Sequence, residues 1–184
     1  MGELVIFTGP MKCGKTTKLI EKYNEVKSIN AKTFMFKPTI DDRFDKNAVV
    51  SRNGASVPAE LISSVDDLVN FSYIGDNLFI DEFQFLGGHI STIIRLLNKG
   101  KNIYVAGLNL TSEKKPFGLM GELMCLANEI HIMKGNCDSC KKEGTGTYTF
   151  CEETKTDDIL VGDAQYLCVC NKCYIERTSE KRCI

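Results

Sequence analysis

The run Gly9-Pro10-Met11-Lys12-Cys13-Gly14-Lys15-Thr16 has the spacing G-x4-G-K-[ST], the pattern of a loop that holds nucleotide phosphates. Glycines let successive backbone N–H groups turn inward onto phosphate oxygens, and the first turn of a following helix adds positive potential. Lys15 can then reach the β and γ phosphates, while the Thr16 hydroxyl can ligand Mg²⁺. The context fits: an apolar stretch from Leu4 to Phe7 precedes the loop and an amphipathic one follows it.

A second constellation is Leu78-Phe79-Ile80-Asp81-Glu82, an apolar run that ends in paired carboxylates. In phosphate-loop proteins an acid at the end of a buried strand holds Mg²⁺, the role expected of Asp81. Glu82, one residue on, is placed to act as a base. A hydroxyl that attacks phosphorus becomes far more acidic in the transition state, so a carboxylate within hydrogen-bond reach can take its proton.

The third is a pair of Cys-x2-Cys knuckles, Cys137/Cys140 and Cys170/Cys173. Two such pairs supply four thiolates in a tetrahedron around Zn²⁺, which leaves no open position and makes the metal structural. The stretch 141–169 between them is then a loop pinned at both ends, and pinning lowers the entropy cost of ordering it over a ligand. Cys168, two residues before Cys170, is the one rival ligand.

These groups need a scaffold, and the hydropathy pattern predicts a doubly wound α/β one. Leu4–Phe7, Phe34–Phe36, Leu78–Ile80, Ile103–Ala106 and Ile130–Ile132 read as buried strands, because continuous apolarity means cover on both faces. Leu19, Ile20, Tyr23 and Val26 recur at helical spacing, as do Ile90, Ile93, Ile94 and Leu97 before Gly100. Ser64 followed by Asp67 marks the start of a further helix near Leu68. Residues 38–60 lack periodicity and read as a long functional loop, with a hairpin at Asn53-Gly54. Composition turns to Cys, Gly, Thr and Asp after Lys134, which divides the chain into a phosphate-loop α/β domain (1–134) and a small zinc-binding domain (135–184).

The totals agree with that division. A chain of 184 residues, 43% apolar, can bury roughly 70% of its unfolded surface, which excludes disorder and a disulfide-only scaffold. With 23 basic and 24 acidic side chains the net charge is -1, so no long-range field gathers nucleic acid or an anionic membrane. No apolar run approaches the ~18 residues of a membrane span. Nine cysteines, an odd count without a secretory signal, point to metal in a reducing, cytoplasmic compartment.

Gly9-Pro10-Met11, Asp81-Glu82-Phe83-Gln84-Phe85, Lys115-Pro116-Phe117-Gly118 and the two Cys pairs stand in the order found in thymidine kinases of the tetrameric, zinc-containing type, and the chain resembles that family over nearly its whole length. The resemblance implies a RecA-like phosphate-loop domain with a zinc-tethered lasso. It also implies ATP-dependent phosphorylation of thymidine and, more weakly, deoxyuridine, with a homotetrameric assembly and dTTP as feedback inhibitor. Glu82 matches the family's base, with Lys15 and Arg43 beside the reacting phosphoryl group and Asp41, ahead of Asp42, the acid associated with Arg43. The loop Gly9 to Thr16, Asp81 and Gln84 match its ATP and Mg²⁺ region. Met11, Leu108 and Phe117 resemble the walls of its base pocket. Val161, Gly162 and Tyr166 resemble its lasso contacts to pyrimidine and sugar, and Thr147, or Thr149 two residues on, the threonine at the base. Cys13 and Phe83 depart from the family pattern, standing where Ser and a small residue are common.

Two other readings share some of these features. A phosphate-loop ATPase with a zinc ribbon would use the same Asp-Glu pair to orient water. A zinc-ribbon binding module would need a basic and aromatic surface that this sequence lacks.

Overall fold

The computed structural model describes residues 1–29, 31–41, 45, 47–71, 73, 75–152 and 166–182. The chain runs β1 (Leu4–Thr8), α1 (Lys15–Ser28), β2 (Thr33–Pro38), β3 (Ala48–Val50), β4 (Ser56–Pro58), β5 (Glu60–Ile62), β6 (Asn77–Ile80), α2 (Ile90–Asn98), β7 (Asn102–Gly107), α3 (Met120–Leu126), β8 (Glu129–Ile132), β9 (Tyr148–Cys151), β10 (Tyr166–Val169) and α4 (Asn171–Arg182). Six strands form one parallel sheet in the order β5-β2-β6-β7-β1-β8. Every pair in it is parallel because a helix or long crossover returns the chain each time.

The sheet is covered on both faces, as its unbroken apolar strands require. On one side Leu19, Ile20, Tyr23 and Val26 of α1 pack on Phe7, Phe79 and Tyr104, with Phe79 and Tyr104 stacked at 4.4 Å and Tyr23 edge-on to Phe79 at 5.2 Å. On the other, α2 and α3 cover Leu4, Ile6, Leu78, Ile80, Ile103 and Val105. Each such side chain contributes roughly 1.5–3 kcal/mol by leaving water. Gly100, in the left-handed region at φ 79, ends α2 as expected, its N–H bonded to the Leu97 carbonyl.

Several local expectations change. Ile130–Ile132 is a strand but not a buried one: β8 is an exposed sheet edge, and Ile132 is 66% exposed. The segment around Leu68 is a 3-10 helix, Val65–Phe71, anchored on the core by Val65, Leu68 and Phe71, a spacing of three that matches its three residues per turn. Asp67 still starts it, accepting the Ser63 and Ser64 N–H groups. Within 38–60 the hairpin forms as β3–β4, with Gly54 at φ 87 in its turn, and β5 then joins the sheet beside β2. Ile94 faces outward, while Ile93, Leu96 and Leu97 carry the core contact of α2.

Residues beyond β8 build a separate small core of Cys137, Phe150, Val169 and Cys173 under the antiparallel pair β9–β10. No described helix is long and apolar enough to cross a membrane.

Candidate active site

Phosphate-loop geometry follows from its glycines. Gly9 sits at φ 139, where an added Cβ would lie 2.3 Å from the Met133 carbonyl oxygen, and Gly14 sits at φ 86 directly before α1. Lys15, buried at the helix start, donates from Nζ to the Pro10 carbonyl at 2.6 Å and lies 3.8 Å from the Cys13 sulfur. Its ammonium is thereby held over the loop that would cradle phosphate.

Opposite the loop, β6 ends at Asp81. The Thr16 hydroxyl donates to the Asp81 carboxylate, at 3.1 Å from Oδ2 and 3.2 Å from Oδ1. Burial, with the neighbouring Glu82 charge and that of Asp41 added, pushes Asp81 up to about 7. A divalent cation would relieve that crowding, and a hydroxyl with a carboxylate is the kind of oxygen set that Mg²⁺ takes; Thr16 and Asp81 are the residues that fit it.

Glu82 occupies the left-handed region, φ 50 and ψ 40, which is unfavourable for a side-chain-bearing residue and costs about 1–3 kcal/mol. That turn brings its carboxylate to the Gln84 amide, whose Nε2 donates to Glu82 Oε2 at 2.5 Å. Gln84 Oε1 in turn accepts the Leu108 N–H at 2.9 Å. The structure thus sets Gln84 between the carboxylate and the Leu108 backbone, a place its expected grouping with ATP and Mg²⁺ did not suggest. Phe117 closes on Phe85 edge-on at 5.6 Å, and its N–H reaches the Asn109 carbonyl.

Asp41 is buried against Lys37, Nζ to Oδ2 3.5 Å. Lys37 is only 2% exposed and also donates to the carbonyls of Asp45 (2.7 Å) and Ala48 (3.3 Å). Sequence reasoning missed it; a lysine ending an otherwise apolar strand, four residues before an acid, is the signal that was there. Arg43, Val161 and Gly162 lie outside the described residues.

The zinc-side unit docks on the loop. Thr149 is buried and its hydroxyl oxygen accepts the Met11 N–H at 3.0 Å. Thr147 instead uses its N–H to bond the Val169 carbonyl, so Thr149 is the threonine at Met11. Lys12 pairs with Asp138 at 3.6 Å. Lys114 reaches across from the loop after β7, its ammonium 3.8 Å and 4.0 Å from the ring centres of Tyr148 and Tyr174. Burial lowers its pKa. Tyr166, in β10, pairs with Cys151 across the hairpin.

Cys137, Cys140, Cys170 and Cys173 converge, all four sulfurs within 4.8 Å of one another. The Cys140 and Cys170 sulfurs are 3.9 Å apart, close to the ~3.8 Å edge that a tetrahedron with ~2.3 Å Zn–S bonds requires. The Cys170 N–H donates to the Cys137 sulfur at 3.3 Å, the kind of support a thiolate ligand receives. The four residues fit Zn²⁺. Cys168 is outside the cluster: it is buried between Gly135 and Gly146, where a Cβ on either would come within 2.7 Å of its sulfur, and burial raises its thiol to about 11.

Fold and site define a class: parallel α/β proteins with a phosphate-binding loop pattern between the first strand and first helix, and a carboxylate pair after a strand two places away in the sheet. Comparison narrows it. A family model described as thymidine kinase matches residues 2–174. The chain is 33% identical to a thymidine kinase of Mycoplasma mobile over 98% of this chain and 90% of that one. It is 35% identical to a thymidine kinase of Pseudothermotoga lettingae over 94% and 95%, and 31% identical to one of Bacteroides fragilis over 98% and 91%. The chain belongs to the thymidine kinase family, and so is a phosphotransferase.

Proposed function

We propose that this chain transfers the γ-phosphoryl group of ATP to the 5′-hydroxyl of thymidine, and more weakly of deoxyuridine, in pyrimidine salvage. The observation that carries this is the Glu82 carboxylate, held one residue past the Thr16–Asp81 pair at the mouth of the phosphate loop. In this reading the 5′-oxygen bonds to the γ-phosphorus, the bond to the ADP oxygen breaks, and the proton passes to Glu82. Lys15 and Arg43 hold the transferring charge, with Asp41 beside them. The backbone of Gly9, Pro10, Met11, Lys12, Cys13 and Gly14 cradles the phosphates. When bound, Mg²⁺ offsets phosphate charge, and Thr16 and Asp81 would hold it.

Met11, Leu108 and Phe117 wall the base, joined by Thr149 rather than Thr147, while Val161, Gly162 and Tyr166 come over from the lasso. One methyl in an apolar pocket is worth only ~1–3 kcal/mol, which makes deoxyuridine a poorer substrate rather than an excluded one. Zinc ties residues 135–184 as a second unit onto 1–134, supported by the separate small core. Family likeness supports a homotetramer and inhibition by dTTP; the odd cysteine count with two Cys-x2-Cys pairs suits the cytoplasm.

Single-turnover assays with ATP and Mg²⁺, with and without thymidine, test the reading. ADP formation should require thymidine, and Glu82→Gln should lower kcat by ~10² to 10⁴-fold with little change in KM. ADP release that ignores thymidine would instead identify a water-activating ATPase.

A further inference from the structure

Gln84 is 3% exposed, yet its side chain is polar, and burying an amide is costly unless each of its ends is bonded. Both ends are engaged. Oε1 takes the Leu108 N–H at 2.9 Å and Nε2 gives to Glu82 Oε2 at 2.5 Å. Chemistry fixes this orientation, because the reversed amide would set its carbonyl against a carboxylate and its NH₂ against an N–H.

The surrounding chain is shaped to admit it. A Cβ on Gly107, at the end of β7, would lie 2.8 Å from Gln84 Oε1. Gly118, at φ 53, closes from the other side, where a Cβ would lie 2.5 Å from the Gln84 carbonyl oxygen. Glycine therefore has a reason at both positions, and one of them belongs to the Lys115-Pro116-Phe117-Gly118 segment that also carries a pocket wall. Glu82, in its strained left-handed turn, has a side chain that must be steered by something other than its own backbone.

We propose that Gln84 is a positioning residue for phosphoryl transfer: its amide clamps the Glu82 carboxylate to the backbone of the Leu108 wall, so base and pocket hold one geometry. This rests on the reading of Glu82 as the base. It differs from a nucleotide-binding role for Gln84, which would show in the KM for ATP.

The test uses the zinc-loaded full chain and a double-variant cycle. Gln84→Met keeps the length and removes both hydrogen bonds. Its kcat should fall about 10- to 100-fold, the scale of a ~1 Å misplacement of a reacting group, while KM for ATP and thymidine and the calorimetric Kd for thymidine stay within about twofold. Placed on Glu82→Gln, the same change should cost less than about twofold more, because the group it steers is already gone. The exchanged pair Glu82→Gln with Gln84→Glu rebuilds one amide–carboxylate bond; it should recover the Tm lost in Gln84→Glu alone but not the kcat, and it stands in if Gln84→Met does not fold.

An unchanged kcat in Gln84→Met, a loss that repeats in full on Glu82→Gln, a rise confined to the KM for ATP, or a Glu82→Gln/Gln84→Glu pair that regains kcat would each overturn the proposal. If Glu82→Gln alone keeps full kcat, it is the base reading that fails, and the proposal with it.

Discussion

The hydroxyl of Thr149 accepts the backbone N–H of Met11 at 3.0 Å across 138 residues of chain. One hydrogen bond thus joins the hairpin beside the cysteine cluster to the phosphate loop. Removing the acceptor leaves a buried donor unsatisfied, which costs ~1–3 kcal/mol. Thr149→Val, nearly the same shape, should lower Tm by a few degrees and raise the KM for thymidine about tenfold. Thermal melts with steady-state kinetics check this, and unchanged values of both would remove Thr149 from the pocket.

Lys114 makes a second tie, between the rings of Tyr148 and Tyr174, and its Nζ also donates to Asn171 Oδ1 at 3.2 Å. A cation over an aromatic face is worth ~0.5–2 kcal/mol. Lys114→Met should therefore weaken thymidine binding several-fold, and Lys114→Arg should keep most of it. Calorimetric titration of thymidine into each variant distinguishes the cation from mere packing; equal affinities for the two variants count against the tie.

Metal content is a separate check. Purified protein should carry one zinc ion per chain, lost in Cys173→Ser and kept in Cys168→Ser. If the metal contributes even ~3 kcal/mol, stripping it should lower Tm by roughly 6–12 °C. Elemental analysis beside melting curves settles it, and zinc lost from Cys168→Ser but retained by Cys173→Ser would reassign the ligands.

Asp81 predicts a pH dependence. Its folded value of about 7 lies above the ~3.9 of an unfolded aspartate. The folded chain holds the extra proton, so this stabilising contribution is complete below pH ~4, declines from there and is gone once the pH has risen through about 7. Metal-free, nucleotide-free protein should melt progressively lower between pH 5 and pH 8, as judged by the difference from Asp81→Asn, which should lack that slope. A wild-type-minus-variant difference that is flat with pH contradicts the assignment.

What could be read from the sequence was the chemistry that sits in short contiguous runs. Gly9 to Thr16, Asp81-Glu82 and the paired cysteines are local patterns, and their flanking strands follow from unbroken apolarity. Hidden from spacing were the groups whose partners are distant: Thr149 to Met11, Lys114 to Tyr148 and Tyr174, and Gln84 to Leu108. Lys37 was passed over because a buried ammonium looks like a solvated strand end until the Asp45 and Ala48 carbonyls are seen around it. The β8 misreading has a simpler source: apolar residues in a three-residue run do not say whether a strand is central or at the edge, and β8 is an edge strand whose four residues are all exposed.

β7 lies between β1 and β6. Strand spacing is ~4.8 Å, so a sheet whose outer members differ by two places sets the phosphate loop and the acid strand about 10 Å apart. The sheet acts as a ruler that no single side chain can reset. Side-chain length then becomes the only adjustable dimension of the gap: a threonine reaching from one bank meets an aspartate from the other, and one methylene more or less on either would miss the fit.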